Sequence, residues 1–368
     1  MAEGNSQNYS PVSDKIRHQL RKESEEGRLQ HRNRVINSAR KNLREIEDEL
    51  QTLNVMTPDE LAKTVAQIKS GNNAPLLSLR ALKQALHNPD TTRLFLRTTG
   101  SLQAVVGHLT GRKALHQLEA AYICCNLATG DEYTCEAVTN AAGPYLIEYL
   151  GGHNTTLQVA CLWTIGNLVG GSMKSFNVLL SQGLIPRLIN CLKGHDEVIE
   201  AAVYALCFVI KMSFHKDKKC ALSCTEMQEI ALATVLIKPD ITEMYSLLYL
   251  LSCSCDCDNI LLENLIPQQC VTALLKLAGN TEDMSVLRSA TAMIRATANL
   301  CAIESGTGAL MVLNHSSFPN VLKNFLNTRH SYLTRETEWL LNNLLFHPCV
   351  KVATQAKELQ LESVYDPK

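Results

Sequence analysis

The sequence has few aromatic residues, few prolines and almost no net charge, and each shortage excludes a class of protein. Aromatic residues make up 5% of its 368 residues, and 11 residues are proline. With 46% hydrophobic residues, this composition excludes disordered and collagen-like chains and predicts a sizeable folded core. Lys and Arg number 35 against 36 Asp and Glu, a net charge of −1. Such a balance does not favour direct binding to nucleic acid or to an anionic membrane surface.

Long apolar runs are also absent. No uninterrupted apolar stretch reaches the length of about 18 residues that a membrane span needs, and the first residues, MAEGNSQNYS, lack the features of a secretory signal. We therefore expect a soluble intracellular protein without a membrane span. Its 14 cysteines lie mostly at apolar positions of helical segments. They are expected to be reduced thiols that act as small core residues.

Apolar residues recur at helical spacing through most of the chain, and the chain repeats itself. The segment 155–171, TTLQVACLWTIGNLVGG, resembles the segment 114–130, ALHQLEAAYICCNLATG. Steps of 41 residues from Tyr122 reach Trp163, Tyr204 and Tyr245 in turn. Strand-like alternation is nearly absent. Helical units of this length bury their apolar faces by stacking on their neighbours, so the pattern predicts a helical solenoid.

Each period contains three helical segments, which is the layout of armadillo repeats rather than of two-helix HEAT repeats. In the unit 131–171 we expect helices at 132–141, 144–150 and 155–169. The second helix of a unit is expected to follow a glycine break, at Gly100, Gly143 and Gly183. The predicted fold is an all-α, armadillo-repeat, right-handed superhelical solenoid of about six to seven three-helix repeats, with an N-terminal basic helix. The predicted units are a partial first unit, 57–89, and then 90–130, 131–171, 172–213, 214–254, 255–302 and 303–346, followed by a truncated unit after residue 346.

The N-terminal part differs from the rest in charge. Residues 1–44 carry 10 Lys or Arg and 5 Asp or Glu, a net charge of +5, which leaves −6 for the remainder. We expect residues 1–14 to be disordered, residues 15–53 to form a basic helical segment, and residues 54–368 to form the armadillo-repeat domain. The apolar stripe of residues 15–53 is sparse, so a helix there needs a partner or another helix to be stable.

The third helices repeat an aromatic or long side chain followed four residues later by asparagine. A spacing of four places both side chains on one helical face. A carboxamide can donate to and accept from the backbone of an extended peptide, and an aromatic face packs against the stem and cation of Lys or Arg. A single tryptophan at this spacing is usually a core residue, but the repetition favours a groove that binds an extended basic peptide. The pairs are Tyr122 and Asn126, Trp163 and Asn167, Trp339 and Asn343, and, as a variant, Arg295 and Asn299.

These repeats resemble those of importin alpha, an armadillo adaptor that binds nuclear localisation signals through a W-x-x-x-N array on its concave face. The resemblance covers roughly residues 15–360 and includes the family's interrupted middle, with Tyr245 and Tyr249 followed by Arg295 and Asn299. It implies an adaptor of cytoplasm and nucleus, monomeric and without a cofactor or metal. The implied major peptide site consists of Tyr122, Asn126, Trp163 and Asn167, with Tyr204 at its end. The implied minor site consists of Arg295, Asn299, Glu336, Trp339 and Asn343, with Tyr245 in the interrupted stretch between the two sites.

The same resemblance assigns a partner to the basic segment. QLRKESEEGRLQHRNR (19–34) is similar to part of the family's importin-beta-binding domain, which also folds back onto the groove as an autoinhibitor. The implied contacts to an importin-beta-type carrier are Arg17, Arg21, Lys22, Arg28, Arg32 and Arg34. A solvated helix is the alternative interpretation of this segment.

Three departures from the family pattern weaken the expected major site. Gly171 stands where the family has an aspartate for the key lysine of the peptide. Tyr204 and Phe208 replace a Trp and Asn pair, and the N-terminal segment lacks the family's dense arginine cluster. A divergent relative with weakened or altered major-site specificity is therefore expected.

Two other classes of function were considered. Cys253, Cys255 and Cys257 suggest metal or redox chemistry, but the C-x-C-x-C spacing lacks the paired C-x-x-C of structural zinc sites, and no phosphate loop or hydrolase motif occurs. An enzyme is therefore not predicted. The other alternative is an armadillo scaffold for an acidic or hydrophobic partner. The net charge of −6 outside residues 1–44 favours basic cargo over this alternative.

Overall fold

The computed structural model describes residues 56–217, 222–234, 242–253, 266–280 and 283–359. These residues form helices joined by short turns, and no strand occurs among them. All of the helices lie within the unit Thr57–Lys368. The predicted carrier-binding residues at 15–53 lie outside the described residues. The helices are α1 Pro58–Ile68, α2 Leu76–Ala85, α3 Pro89–Arg97, α4 Ser101–Leu109, α5 Ala114–Leu127, α6 Glu132–Tyr149, α7 Thr155–Gly171, α8 Met173–Ser181, α9 Leu184–Cys191, α10 Asp196–Asp217, α11 Cys224–Leu232, α12 Thr242–Ser252, α13 Ile266–Leu277, α14 Met284–Cys301, α15 Thr307–Leu313, α16 Phe318–Leu326, α17 Ser331–Leu345 and α18 Val350–Glu358.

Polar side chains at the helix starts define many of these boundaries. Thr57 forms a capping box with Glu60 ahead of Pro58, which occupies the first position of α1. Asn88 and Asp131 accept backbone N–H groups at the starts of α3 and α6. Such caps satisfy donors that have no partner within the helix, so the sequence itself sets where many of these helices begin.

Two of the three expected glycine breaks are present, and the third prediction is wrong. Gly100 and Gly183 have φ values of 71° and 80° and start α4 and α9 in the left-handed region that favours glycine. Gly143, however, lies inside the continuous helix α6, so the expected helices 132–141 and 144–150 are fused. A side chain at Gly143 would contact Leu179 and Gln182 at 3.3 Å. Gly143 therefore provides room for helix packing rather than a break.

The third helices of successive units form a continuous stack that positions the candidate site. In this stack α2, α5, α7, α10, α12, α14 and α17 each pack on the next. Small buried residues line the third helices and allow close approach, since a large side chain at these points would separate the helices. Among those that are 0% exposed are Ala120, Ala121, Ala160, Ala201, Ala202, Ala205, Ala290, Ala296 and Ala298.

None of the helices in the described part of the chain has both the length and the apolar composition needed to cross a membrane.

Candidate peptide-binding groove

The structure places every predicted peptide-binding residue on a third helix of the stack. We call this set the third-helix ladder. It consists of Tyr122 and Asn126 on α5, Trp163 and Asn167 on α7, Tyr204 on α10, Tyr245 on α12, Arg295 and Asn299 on α14, and Glu336, Trp339 and Asn343 on α17. Tyr245 is only 2% exposed. Its neighbour four residues along, Tyr249, lies with its ring 5.7 Å from the Arg295 guanidinium.

The ladder asparagines are tied to the helix that precedes them in the stack. Asn126 donates from Nδ2 to the Lys83 carbonyl at 2.8 Å, and Asn343 donates to the Ala298 carbonyl at 2.9 Å. Asn299 donates to Ser252 Oγ at 2.9 Å. These bonds fix the carboxamide planes. Each of these three carboxamides keeps its Oδ1 as an acceptor, because only Nδ2 is used within the described residues.

Asn167 is held more completely than the other ladder asparagines. Its Oδ1 accepts a hydrogen bond of 2.7 Å from the Tyr204 hydroxyl, and its Nδ2 lies 3.6 Å from Cys125 Sγ. Both ends of this carboxamide therefore contact side chains of the neighbouring third helices. A peptide that used Asn167 would compete with the tyrosine hydroxyl.

A charged cluster occupies the N-terminal end of the ladder. Glu119 is 5% exposed and pairs with Arg80 Nε at 2.9 Å and with Lys83 Nζ at 2.7 Å. The same Lys83 ammonium lies 5.2 Å from the centroid of the Tyr122 ring. Burial is the main cause that raises the pKa of Tyr122 to about 12, and the negative charge of Glu119 contributes less. The Tyr122 hydroxyl therefore stays protonated at neutral pH.

Aromatic rings fill the middle of the ladder. The rings of Trp163 and Tyr204 have centroids 4.4 Å apart, and Phe208 follows at 5.0 Å from Tyr204. A methylene chain needs about 3.5 to 4 Å to each of two flanking rings. The space between Trp163 and Tyr204 is therefore too narrow for a lysine stem. Trp163 is only 7% exposed.

Glycines on α7 make this ring stack possible. A Cβ at Gly166 would lie 2.5 Å from Tyr204 Cε1, and a Cβ at Gly170 would lie 2.6 Å from Phe208 Cδ1. The α10 rings thus lie directly against the backbone of α7. Gly171 is equally constrained, since a Cβ there would collide with Cys135 Sγ. The aspartate that the family pattern has at this position does not fit this packing.

We expect Gly166→Ala to destabilise the protein by about 1 to 3 kcal/mol, because the Tyr204 ring must move and its stacking on Trp163 is disturbed. Urea denaturation followed by circular dichroism measures the change. Gly107→Ala is the matched control, because Gly107 lies in α4 with nothing within 4 Å of the added Cβ. That variant should gain about 0.5 to 1 kcal/mol from helix propensity. Equal effects of the two substitutions would contradict the packing role of Gly166.

A second buried ion pair lies at the C-terminal end of the ladder. One terminal nitrogen of Arg295 donates to Glu336 Oε1 at 2.7 Å and to the Tyr332 hydroxyl at 2.6 Å. The guanidinium lies 5.4 Å from the Tyr332 ring centroid. Burial alone would lower the pKa of Arg295, but the hydrogen bond and charge of Glu336 outweigh it and raise the pKa. Arg295 therefore stays charged, and its buried Nε has no hydrogen-bond partner among the described residues.

Trp339 provides the open aromatic surface of the ladder. It is 39% exposed, whereas Trp163 is 7% exposed. Asn343 lies one turn further along α17, and Phe346, which is 80% exposed, follows directly after the end of the helix. This end therefore combines an accessible ring, a fixed carboxamide with a remaining acceptor, and a carboxylate already paired with arginine.

Sequence reasoning missed the partners of the ladder residues. Contacts of Lys83, Glu119 and Tyr332 with ladder residues were not predicted. One signal was present: Glu119 precedes Tyr122 by three residues, as Glu336 precedes Trp339, so the pattern E-x-x-aromatic-x-x-x-N occurs twice. The alternation of carboxylate, ring and carboxamide along one helical face would have identified Glu119.

Several cysteines of the stack are buried core residues, whereas Cys125 on α5 and Cys207 on α10 are only half-buried. Cys124 and Cys161 are buried between α5 and α7, and burial raises the pKa of the Cys124 thiol to about 12. Such thiols are unreactive at neutral pH. Among the described residues no group of His, Cys, Asp or Glu has the arrangement of a metal site. Cys255 and Cys257 lie outside the described residues.

Comparison with known proteins agrees with this architecture. Importin subunit alpha-9 of Arabidopsis thaliana is 27% identical over 239 residues, which are 62% of this chain and 44% of that protein. A crystal structure of an engineered protein aligns with a TM-score of 0.54 at 16% identity, over 88% of this chain and 95% of that one. The chain is an all-α solenoid that is similar in sequence to importin alpha.

Other matches have smaller coverage or lower structural similarity. Importin subunit alpha-2 of Arabidopsis thaliana is 28% identical over 83 residues, 22% of this chain and 16% of that protein. A designed armadillo repeat protein aligns over 77% of this chain and 100% of its own, at 18% identity and a TM-score of 0.46. No protein-family model matches the chain. The chain spans less than half the length of the importin alpha relatives that it matches.

Proposed function

We propose that the protein is a non-enzymatic adaptor that binds an extended basic peptide along the third-helix ladder. The observation that carries this proposal is the exposed Trp339 ring beside the fixed carboxamide of Asn343 on a continuous stack of third helices. The similarity to importin alpha supports nuclear localisation signals as the peptide class and the cytoplasm and nucleus as the place of action. The adaptor acts as a monomer, without cofactor or metal.

Peptide binding centres on α14 and α17 in this proposal. The Trp339 face packs against the stem of a peptide Lys or Arg, and Asn343 Oδ1 accepts an N–H of the peptide backbone. Asn299 provides a second acceptor on the preceding helix, since its Nδ2 is already bonded to Ser252. The Arg295 and Glu336 pair, which precedes these groups along α14 and α17, links the two helices.

The middle of the ladder contributes less to peptide binding. Trp163 packs against Tyr204, and Asn167 is bonded to the Tyr204 hydroxyl, so a peptide would have to displace these contacts. We therefore propose that the groove recognises a short basic segment at its C-terminal end rather than a long one along its full length. The peptide contacts of Tyr122, Asn126, Trp163, Asn167, Tyr204 and Tyr245 stay predictions.

An importin-beta-type carrier is the proposed second partner. The net charge of +5 on residues 1–44 suits an acidic binding surface. Arg17, Arg21, Lys22, Arg28, Arg32 and Arg34 would make these contacts.

Fluorescence anisotropy of the full chain with a fluorescein-labelled Lys- and Arg-rich peptide tests the proposed function. We expect saturable binding that weakens between low and physiological salt, because charged contacts at a partly exposed surface are screened. A peptide of equal length with Glu in place of Lys and Arg is the control. Absence of binding, or equal binding of both peptides, would contradict the proposal.

A scaffold for an apolar or acidic partner is the second candidate, and one observation favours it. Glu119 and Glu336, which lie three residues before Tyr122 and Trp339, are already paired with cations of the chain itself. Exposed apolar side chains continue beyond the ladder at Phe346 and Val350. Preferential binding of the acidic control peptide would support this candidate.

A further inference from the structure

One lysine of the chain is held by the same three kinds of group that the ladder offers to a peptide lysine. The backbone carbonyl of Lys83 accepts a hydrogen bond from Asn126 Nδ2 at 2.8 Å. Its ammonium lies 2.7 Å from Glu119 Oε2 and 5.2 Å from the Tyr122 ring centroid. A carboxamide on the backbone, a carboxylate on the charge and an aromatic ring nearby are together what a basic peptide residue would need.

The position of Lys83 in the repeat explains how it reaches this slot. Leu79 and Lys83 precede Tyr122 and Asn126 by 43 residues each, so Lys83 stands where the first repeat would place its ladder asparagine. It lies in the last turn of α2, where a cation is stabilised by the helix dipole. From there its side chain crosses to α5.

The surroundings of Lys83 are partly closed to solvent. Its side chain is 19% exposed and that of Glu119 is 7% exposed. An ion pair in such a setting is screened less than one at an open surface, and a ligand cation must displace it to reach Glu119. Arg80 also pairs with Glu119, through Nε to the other carboxylate oxygen at 2.9 Å. Its described contacts do not include the Tyr122 ring, so only Lys83 spans the whole slot.

We propose that Lys83 is a built-in occupant of the first slot of the groove, formed by Glu119, Tyr122 and Asn126. A peptide cation enters this slot only by displacing Lys83. The residue therefore determines specificity, because it directs basic peptides away from the N-terminal end of the ladder and towards Trp339. This inference rests on the proposed function, since it assumes that the groove binds basic peptides.

Lys83→Ala should open the slot and tighten binding of the labelled basic peptide to the full chain by about tenfold, the size of one cation–π contact with an ion pair. Lys83→Arg keeps a cation in place and should leave the affinity near that of the unaltered protein. Arg80→Ala is the matched control, because it removes the same charge beside the same carboxylate without vacating the Tyr122 ring. If Lys83→Ala and Arg80→Ala increased the peptide affinity equally, the loss of one positive charge would explain the increase, and the proposal would be overturned.

A second variant locates the gain. Adding Glu119→Gln to Lys83→Ala should remove the increase, because the carboxylate that the peptide cation would pair with is gone. Retention of the tighter binding in the double variant would place the new contact elsewhere and contradict the inference. If circular dichroism shows that Lys83→Ala is poorly folded, Lys83→Gln replaces it in these affinity measurements, because glutamine removes the charge and preserves most of the side-chain length.

A measurement without peptide separates this inference from the proposed function. n-Propylammonium corresponds to the part of the lysine side chain that Lys83→Ala removes. It should therefore raise the melting temperature of that variant, whereas a sodium salt at equal ionic strength should not. The unaltered protein and Arg80→Ala should show no such difference. If propylammonium stabilises Lys83→Ala but no variant binds the peptide, the slot inference is supported and the proposed peptide-binding function is contradicted. If peptide binding depends on Trp339 but Lys83→Ala has no effect in either assay, the proposed function is supported and the inference that Lys83 occupies the slot is contradicted.

Discussion

Glu336→Ala is expected to lower the free energy of unfolding by about 3 kcal/mol. The substitution leaves the Arg295 guanidinium, whose side chain is 9% exposed, without its carboxylate between two tyrosine rings. Breaking a buried ion pair by removing one partner typically costs about 3 to 5 kcal/mol, and the value here lies at the low end because Glu336 is 15% exposed. Urea denaturation of the full chain measures the loss.

Two controls separate the ion pair from the change in charge. Glu338→Ala removes the same charge from the same helix, and Glu338 has no ion pair in the described residues, so its effect should stay within about 0.5 kcal/mol. Replacing both partners, with Arg295→Met and Glu336→Leu, should restore most of the stability because no charge is left buried. A double variant less stable than Glu336→Ala would mean that the arginine stabilises the stack independently of its carboxylate.

Trp339→Ala should weaken binding of the basic peptide by roughly thirtyfold, or about 2 kcal/mol, the size of an interface hot spot. At 39% exposed, Trp339 is the most exposed aromatic residue of the ladder, and its loss removes the surface on which a lysine stem would pack. Stability should change little, because the ring is not part of the core. Anisotropy titration and thermal unfolding of the same sample measure both effects.

Tyr133→Ala is the matched control for this variant. Tyr133 is 71% exposed at the start of α6 and is not a ladder residue. Its replacement removes an exposed aromatic side chain and should leave peptide affinity within a factor of about two. If Trp339→Ala and Tyr133→Ala had equal effects, the loss could not be assigned to the ladder.

The repeat architecture was predictable because it is encoded locally. Helical spacing of apolar residues and the 41-residue step from Tyr122 to Trp163 predict stacked three-helix units. The structure has three helices in the units 90–130, 172–213 and 303–346, and two in the unit 131–171. The placement of asparagines on one face follows from the spacing of four. Gly143 was misjudged because a glycine that starts a helix and one that allows close packing look identical in a single sequence.

The partners of the ladder side chains were not predictable in the same way. Whether Trp163 is an open platform or a closed stack depends on how near α10 approaches α7, and that distance is set by Gly166 against the Tyr204 ring. The repeat spacing places Lys83 at a ladder position of α2, but its pairing with Glu119 depends on how α2 packs against α5. Contacts between helices arise from packing. The sequence therefore identified the ladder residues but not the side chains of this protein that contact them.

Photo-crosslinking tests the central claim most directly, since it reports where a basic peptide lies on the full chain. A peptide with a photoreactive group beside its central lysine would be irradiated with the protein, and the crosslinked residues identified by mass spectrometry. The account predicts crosslinks on α14 and α17 around Trp339 and Asn343, which are lost on competition with unlabelled basic peptide. Competable crosslinks concentrated on α7 and α10 around Trp163 and Tyr204, or confined to surfaces outside the third helices, would contradict it.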